Sequence, residues 1–91
     1  MFSYDFTDIL RKKLYKLGKK DRVLAENIKK KILEITSRDK NTVDAYKNLK
    51  SQKQEYKRIH LTDNFILIFH VDKNEMHIVF IDVLHWDNAY R

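Results

Sequence analysis

The sequence has no cysteine. Disulfides, thiolate metal sites and a cysteine nucleophile are therefore excluded together. It has no proline and a single glycine, Gly18. Glycine-rich phosphate loops and dinucleotide fingerprints are absent, so kinase, P-loop and Rossmann readings fall. No apolar run is long enough to span a bilayer, and the opening MFSYDFTDIL has no basic segment leading into a long apolar one. A signal peptide is not expected, the expected location is cytoplasmic, and no membrane partner is expected.

What is present points to a small folded unit. The length of 91 residues suits one domain over 1–91 with a modest core, and an apolar content of 43% suits packing rather than disorder. Nineteen Lys and Arg against 13 Asp and Glu give a net charge of +6. That balance favours a polyanionic partner, either nucleic acid or an acidic protein segment. Lysine-rich surfaces also serve solubility alone, so charge sets a class of partner and no mechanism.

Residues 2–7 alternate apolar and polar at Phe2, Tyr4 and Phe6 and read as a short strand. Thr7 or Asp8 can cap a helix that carries Leu10, Leu14 and Leu17 on one face, with Gly18 expected at its C′ position. Asp21 can cap a second helix with the stripe Leu24, Ile28, Ile32 and Ile35. The two should form an αα-hairpin through GKKD. Residues 36–56 are polar and lack clear periodicity, and part of a stretch that long is expected to hold a turn of helix or to pack through Val43, Tyr46 and Leu49. Three β-rich runs follow, at 57–61, 65–71 and 76–85. TDN and DKNE separate them, with Asn64 and Asn74 expected at positive φ. The tail HWDNAYR should leave the sheet as a turn or short helix. The order β-α-α-β-β-β predicts an α+β fold: a small twisted, antiparallel-rich sheet with the αα-hairpin packed on one face.

All four histidines, His60, His70, His77 and His85, lie in these strands. A two-residue turn at Lys73–Asn74 places His70 opposite His77. A three-residue loop at Thr62–Asn64 places His60 opposite Ile66 and Arg58 opposite Ile68. One face then carries Arg58, His60, Ile66, Ile68, His70, His77, Val79, Ile81, Val83 and His85. The other carries Ile59, Leu61, Phe65, Leu67, Phe69, Val71, Met76, Ile78, Phe80 and Leu84, with Lys57 and Asp82 as exceptions, and should receive the helices. The first face has an apolar centre ringed by cationic and titratable groups, which suits a binding surface. A two-residue loop at Thr62–Asp63 would instead turn Arg58 and His60 toward the helices.

The segments LKSQKQEYKRIHLTDNFILIFHV and VLHWDNAYR, within this element order, resemble the RelE/ParE toxin superfamily, and more narrowly its RelE and YafQ-like branch of ribosome-dependent messenger-RNA interferases. The resemblance implies a metal-independent endoribonuclease that requires no cofactor and inhibits translation. In that reaction the ribose 2′-oxygen attacks the adjacent phosphate, leaving a 2′,3′-cyclic phosphate and a 5′-hydroxyl. Such chemistry needs a base, an acid and cations for the pentavalent phosphate. By resemblance His60 and His85 take the acid and base roles, in either order. Arg58 and Lys57 are the phosphate clamps, with Arg58 preferred because it shares the His60 face. Tyr90 matches the terminal aromatic. Asn64 and Lys47 stand where that pattern has an acidic residue and a further histidine, so Asp63 would have to supply any acidic group. Ile66 stands where many members have an arginine. Phe65 and Arg91 join Lys47 and Asn64 as candidate RNA contacts. The implied partners are an acidic antitoxin, held as a hetero-oligomer, the messenger on the ribosome, and ribosomal RNA.

Plainer readings stand beside these. His60 and His85 can be ordinary sheet-edge histidines. His70 and His77 lack the further ligands that zinc needs. The lysine-dense helices can be solvated faces or contacts to ribosomal RNA. Trp86 can anchor an antitoxin or cover the sheet face, and Tyr90 can pack the tail. A ParE-like toxin acting on DNA gyrase, and an inactive RNA-binding homologue, remain open.

Overall fold

In the computed structural model, which describes residues 1–43, 46, 56–62 and 64–89, the first helix starts where Thr7 caps it. The Thr7 hydroxyl accepts the Leu10 N–H at 3.2 Å, and α1 spans Asp8–Lys20 after the short strand β1, Ser3–Phe6. Gly18 does not end α1, contrary to expectation. The helix runs two residues past it, and the Asp21 N–H closes it on the Leu17 carbonyl at 2.8 Å. Lys19 and Lys20 in the last turn suit the negative end of the helix dipole, which offsets part of the cost of an interior glycine. Asp21 also accepts the Leu24 N–H at 3.0 Å and so caps α2, Arg22–Thr36. The hairpin link is that one residue.

The remaining elements are β2 (Tyr56–Thr62), β3 (Phe65–Asp72), β4 (His77–His85) and the single turn α3 (Trp86–Ala89). The sheet order is β1-β4-β3-β2, with β1 parallel to β4 and the other pairs antiparallel. The α+β class and the β-α-α-β-β-β order are therefore as predicted. The helices bury Leu10, Leu24, Ile28, Ile32 and Ile35 against Leu61, Leu67, Phe69, Ile78, Phe80 and Val83. Phe80 lies at the centre, with the rings of Tyr4, Phe6 and Phe69 all within 6.0 Å. Val43 is fully buried and Tyr46 packs on the same core, so the polar 36–56 stretch contributes apolar anchors as expected. Leu49 lies outside the described residues.

Two bulges decide the faces. Between the pairs His60↔Ile66 and Thr62↔Phe65, β2 carries one extra residue, Leu61. The connection is thus shorter than the predicted three-residue loop, but the bulge restores the predicted register. Arg58 still pairs with Ile68 and His60 with Ile66. Between Ile68↔Asp82 and Phe69↔Phe80, β4 carries Ile81 as its extra residue. Alternation inverts there. Val83 turns into the helix-side core, while Leu84 joins Ile66 and Ile68 on the outer face. His85 follows Val83, so the predicted common face for His60 and His85 is overturned.

The β3–β4 connection also differs. Asp72 pairs with His77, leaving Lys73–Met76 as a four-residue turn, and His70 lies opposite Val79 rather than His77. The Asp72 carboxylate accepts the Glu75 N–H at 3.1 Å, which closes the turn locally. Met76, and neither Asn64 nor Asn74, takes positive φ, at 51°. Its carbonyl accepts the Ser3 N–H at 3.0 Å, fastening β1 to the turn. Among the described residues no helix is long and apolar enough to cross a membrane.

Candidate functional site

The outer face of the sheet holds three side chains that meet at one end. Parity sends Arg58 and His60 of β2 outward, and α3 folds Trp86 back over them. The His60 and Trp86 ring centroids are 4.8 Å apart at an interplanar angle of 32°. The Arg58 guanidinium lies 5.8 Å from the same indole centroid. The Trp86 N–H donates to the Asn64 carbonyl at 2.7 Å, which ties the start of α3 to the β2–β3 connection. His60 is exposed, and Trp86 is 38% exposed. A cation, a titratable ring and an aromatic surface thus share one accessible position.

The apolar centre of this face is not open, contrary to expectation. Ile66 is fully buried and Ile68 is 4% exposed, under Tyr56, Ile81 and Leu84. His70 meets the Tyr56 ring edge-on at 6.4 Å. His77 sits at the far end, where its Nδ1 is 2.7 Å from the Ser3 hydroxyl and its Nε2 is 3.7 Å from an Asp5 carboxylate oxygen. His77 therefore joins β1 to β4 and has no part in a His70–His77 pair.

His85 lies around the rim. Its ring meets Phe65 edge-on at 5.5 Å. The Asp87 N–H donates to its Nδ1 at 3.3 Å, and an Asp87 carboxylate oxygen lies 3.8 Å from the same nitrogen. Beside it is a groove lined by Lys13, Lys16, Leu17, Phe65 and Val83. Lys13 is held there by Asp82 at 2.7 Å and by the Val83 carbonyl at 3.1 Å. His60 and His85 nevertheless occupy adjacent rows of the sheet, because His60 pairs with Ile66 and Phe65 with His85. With strands about 4.8 Å apart, their backbones are separated by roughly 10 Å.

The other expected site residues divide as follows. Lys57 points to the helix side and donates to the Tyr46 carbonyl at 3.2 Å. Phe65 packs against the main core, as the face assignment expects. Asn64 is exposed. Lys47, Asp63, Tyr90 and Arg91 lie outside the described residues. Behind the site, the Tyr46 hydroxyl donates to Glu34 at 2.6 Å and accepts from the Arg38 Nε at 3.2 Å. That hydrogen bond holds the Glu34 carboxyl below its usual range, with Lys31 and Arg38 adding to the effect. Burial, then the Glu34 carboxylate, pushes the Tyr46 hydroxyl up.

Two features were missed in the sequence. Trp86 covers the sheet, as one reading allowed, but its contact with both His60 and Arg58 was not anticipated. The Ile81 bulge did leave a signal: Asp82 was already out of place on an apolar face.

A scan against protein-family models finds no match. The chain is 36% identical over 91 residues to a Methanocaldococcus jannaschii protein named "Putative toxin RelE4", covering 100% of this chain and 93% of that one. It is 33% identical over 81 residues to an uncharacterized Methanosarcina mazei protein, covering 89% and 90%. Its fold matches a chain in the crystal structure of the intact E. coli RelBE toxin–antitoxin complex with a TM-score of 0.67. That match has 23% identity and covers 91% of this chain and 94% of that one.

Proposed function

The chain belongs to the RelE toxin family, and on that premise we propose that it is the toxin of a toxin–antitoxin pair that inhibits translation by cutting messenger RNA on the ribosome. The observation that carries this reading is the Arg58–His60–Trp86 cluster. The His60 imidazole can take or give a proton, and Arg58 on the same face can neutralise charge on a pentavalent phosphate. His85 supplies the second proton-transfer group from the adjacent row. An RNA strand reaching it must bend over the strand ends, past Lys13 and Lys16, instead of lying flat on one face.

In this reading the 2′-oxygen attacks the neighbouring phosphorus as one histidine takes its proton. The 5′-oxygen leaves with a proton from the other, and the products are a 2′,3′-cyclic phosphate and a 5′-hydroxyl. Tyr90 is proposed to stack on a base and Asp63 to stand in as an acidic group. Lys47, Asn64 and Arg91 are proposed as RNA contacts. Lys57 and Phe65 support the site from behind, since both face the helices. An acidic antitoxin held as a hetero-oligomer would cover the basic surface, and ribosomal RNA would contact the lysine-rich helices. The setting of all these partners is the cytoplasm.

Translation-coupled cleavage tests the assignment. His60→Ala and His85→Ala should each lower the rate by about a hundredfold or more, and Arg58→Ala by about a hundredfold. A double histidine variant that cleaves messenger and arrests growth like the wild type would sink the site assignment. Inhibition of DNA supercoiling without RNA cleavage would move the protein to the gyrase-directed branch.

A further inference from the structure

The four histidines differ in what holds their rings. His77 is held through Nδ1 by the Ser3 hydroxyl at 2.7 Å, and His85 through Nδ1 by the Asp87 N–H at 3.3 Å. His70 leans edge-on against Tyr56. His60 is exposed on an edge strand. Among the described residues no hydrogen bond orients its ring. Its ring lies against that of Trp86, with centroids 4.8 Å apart and planes tilted by 32°.

A stack constrains an imidazole differently from a hydrogen bond. It fixes the plane of the ring without engaging either nitrogen, so both stay available for proton transfer. The residue that provides the stack is anchored through its main chain. The Trp86 backbone N–H is bound to the Asn64 carbonyl at 2.7 Å, and the Arg58 guanidinium lies 5.8 Å from the indole centroid. Arg58 and His60 come from the same strand two residues apart, and Trp86 reaches both from α3. One indole therefore sets the relative position of the cation and the titratable ring.

We infer that Trp86 is a positioning residue that holds His60, and Arg58 with it, in reacting orientation while leaving both imidazole nitrogens unoccupied. The catalytic consequence rests on the nuclease reading, whereas the stack itself does not. Misplacing a reacting group by about 1 Å costs on the order of a hundredfold in rate. Trp86→Leu keeps an apolar side chain and removes the ring face. It should lower kcat by roughly ten- to a hundredfold, with KM within about threefold. It should also shift the limb of the pH–rate profile that His60→Ala abolishes. Trp86→Phe keeps a ring and should restore the profile and most of kcat.

A second readout needs no cleavage. Trp86 is the single tryptophan of the chain, so fluorescence excited beyond the absorption band of the tyrosines reports its surroundings. A protonated imidazole stacked on indole quenches it. The wild type should show an emission step across the range in which histidines titrate. His60→Ala should lose that step, and His70→Ala and His85→Ala should keep it. A step that persists in His60→Ala, or a Trp86→Leu protein with wild-type kcat and pH profile, overturns the inference. A wild-type protein that cleaves no messenger overturns the nuclease reading instead, and the fluorescence step then still decides whether Trp86 holds His60.

Discussion

Gly18 shows how little one residue can dictate when its neighbours disagree. Glycine ends helices well because it tolerates positive φ, yet here it is an ordinary helical position. The next two lysines continue α1, and Asp21 supplies the stop. Among the described residues, no atom beyond Gly18, its chain neighbours and the surrounding helix backbone lies within 4 Å of where a Gly18 Cβ would stand. Gly18→Ala should therefore stabilise the protein by about 0.5–1 kcal/mol, read as a higher urea midpoint with an unchanged slope. A loss of stability would mean that the position needs glycine after all. Histidine gives the converse case. Residue type alone made all four equivalent, and only their contacts separate His60, stacked and exposed, from His77, which fastens β1.

At the scale of elements, the bulge at Ile81 decides which histidines can cooperate, and α1 anchors it. The Thr7 hydroxyl accepts the Leu10 N–H and donates to the Ile81 carbonyl at 2.5 Å. The Thr7 N–H reaches the Phe80 carbonyl at 3.1 Å. One residue thus caps a helix and secures the irregular part of β4, where β1 has ended and left that edge unpaired. Thr7→Val keeps the shape and removes the hydroxyl. It should cost about 1–2 kcal/mol, which in a domain of this size lowers Tm by roughly 4–8 °C per kcal/mol. Thr7→Ser should stay close to wild type. Equal melting of the valine and serine variants would show that the hydroxyl anchors nothing.

Over the whole molecule, Tyr46 links α2 to the sheet: its ring meets Phe69 edge-on at 5.6 Å, and its hydroxyl serves Glu34 and Arg38. Because its partner Tyr46 lowers the folded pKa of Glu34, that contribution is present above the unfolded carboxylate range. It is lost as pH falls through the folded value. Burial raises the folded pKa of Tyr46, so its contribution is present below the ordinary tyrosine range and lost as pH rises through the raised value. Tyr46→Phe should flatten both limbs of stability against pH, measured by urea unfolding at several pH values. Unchanged limbs in the variant would place that pH dependence elsewhere.

Much of this architecture is determined locally. Helical spacing in Leu10–Leu14–Leu17 and Leu24–Ile28–Ile32–Ile35, the caps Thr7 and Asp21, and the alternation of the last strands each act within a few residues, so they are legible along the chain. The helix-side face from Ile59 to Phe80 was readable for the same reason: side-chain period is a property of one strand. What followed Ile81 was not. A bulge is settled by which carbonyls the neighbouring elements satisfy, here by Thr7 and Lys13 some seventy positions away. Only tertiary structure could move Val83 and His85 to the helix side and Leu84 outward. Trp86 is the same kind of case. Its residue type allowed it to anchor a partner or to cover the sheet face, but the bond from its backbone to Asn64 chose His60 and Arg58 as what it meets.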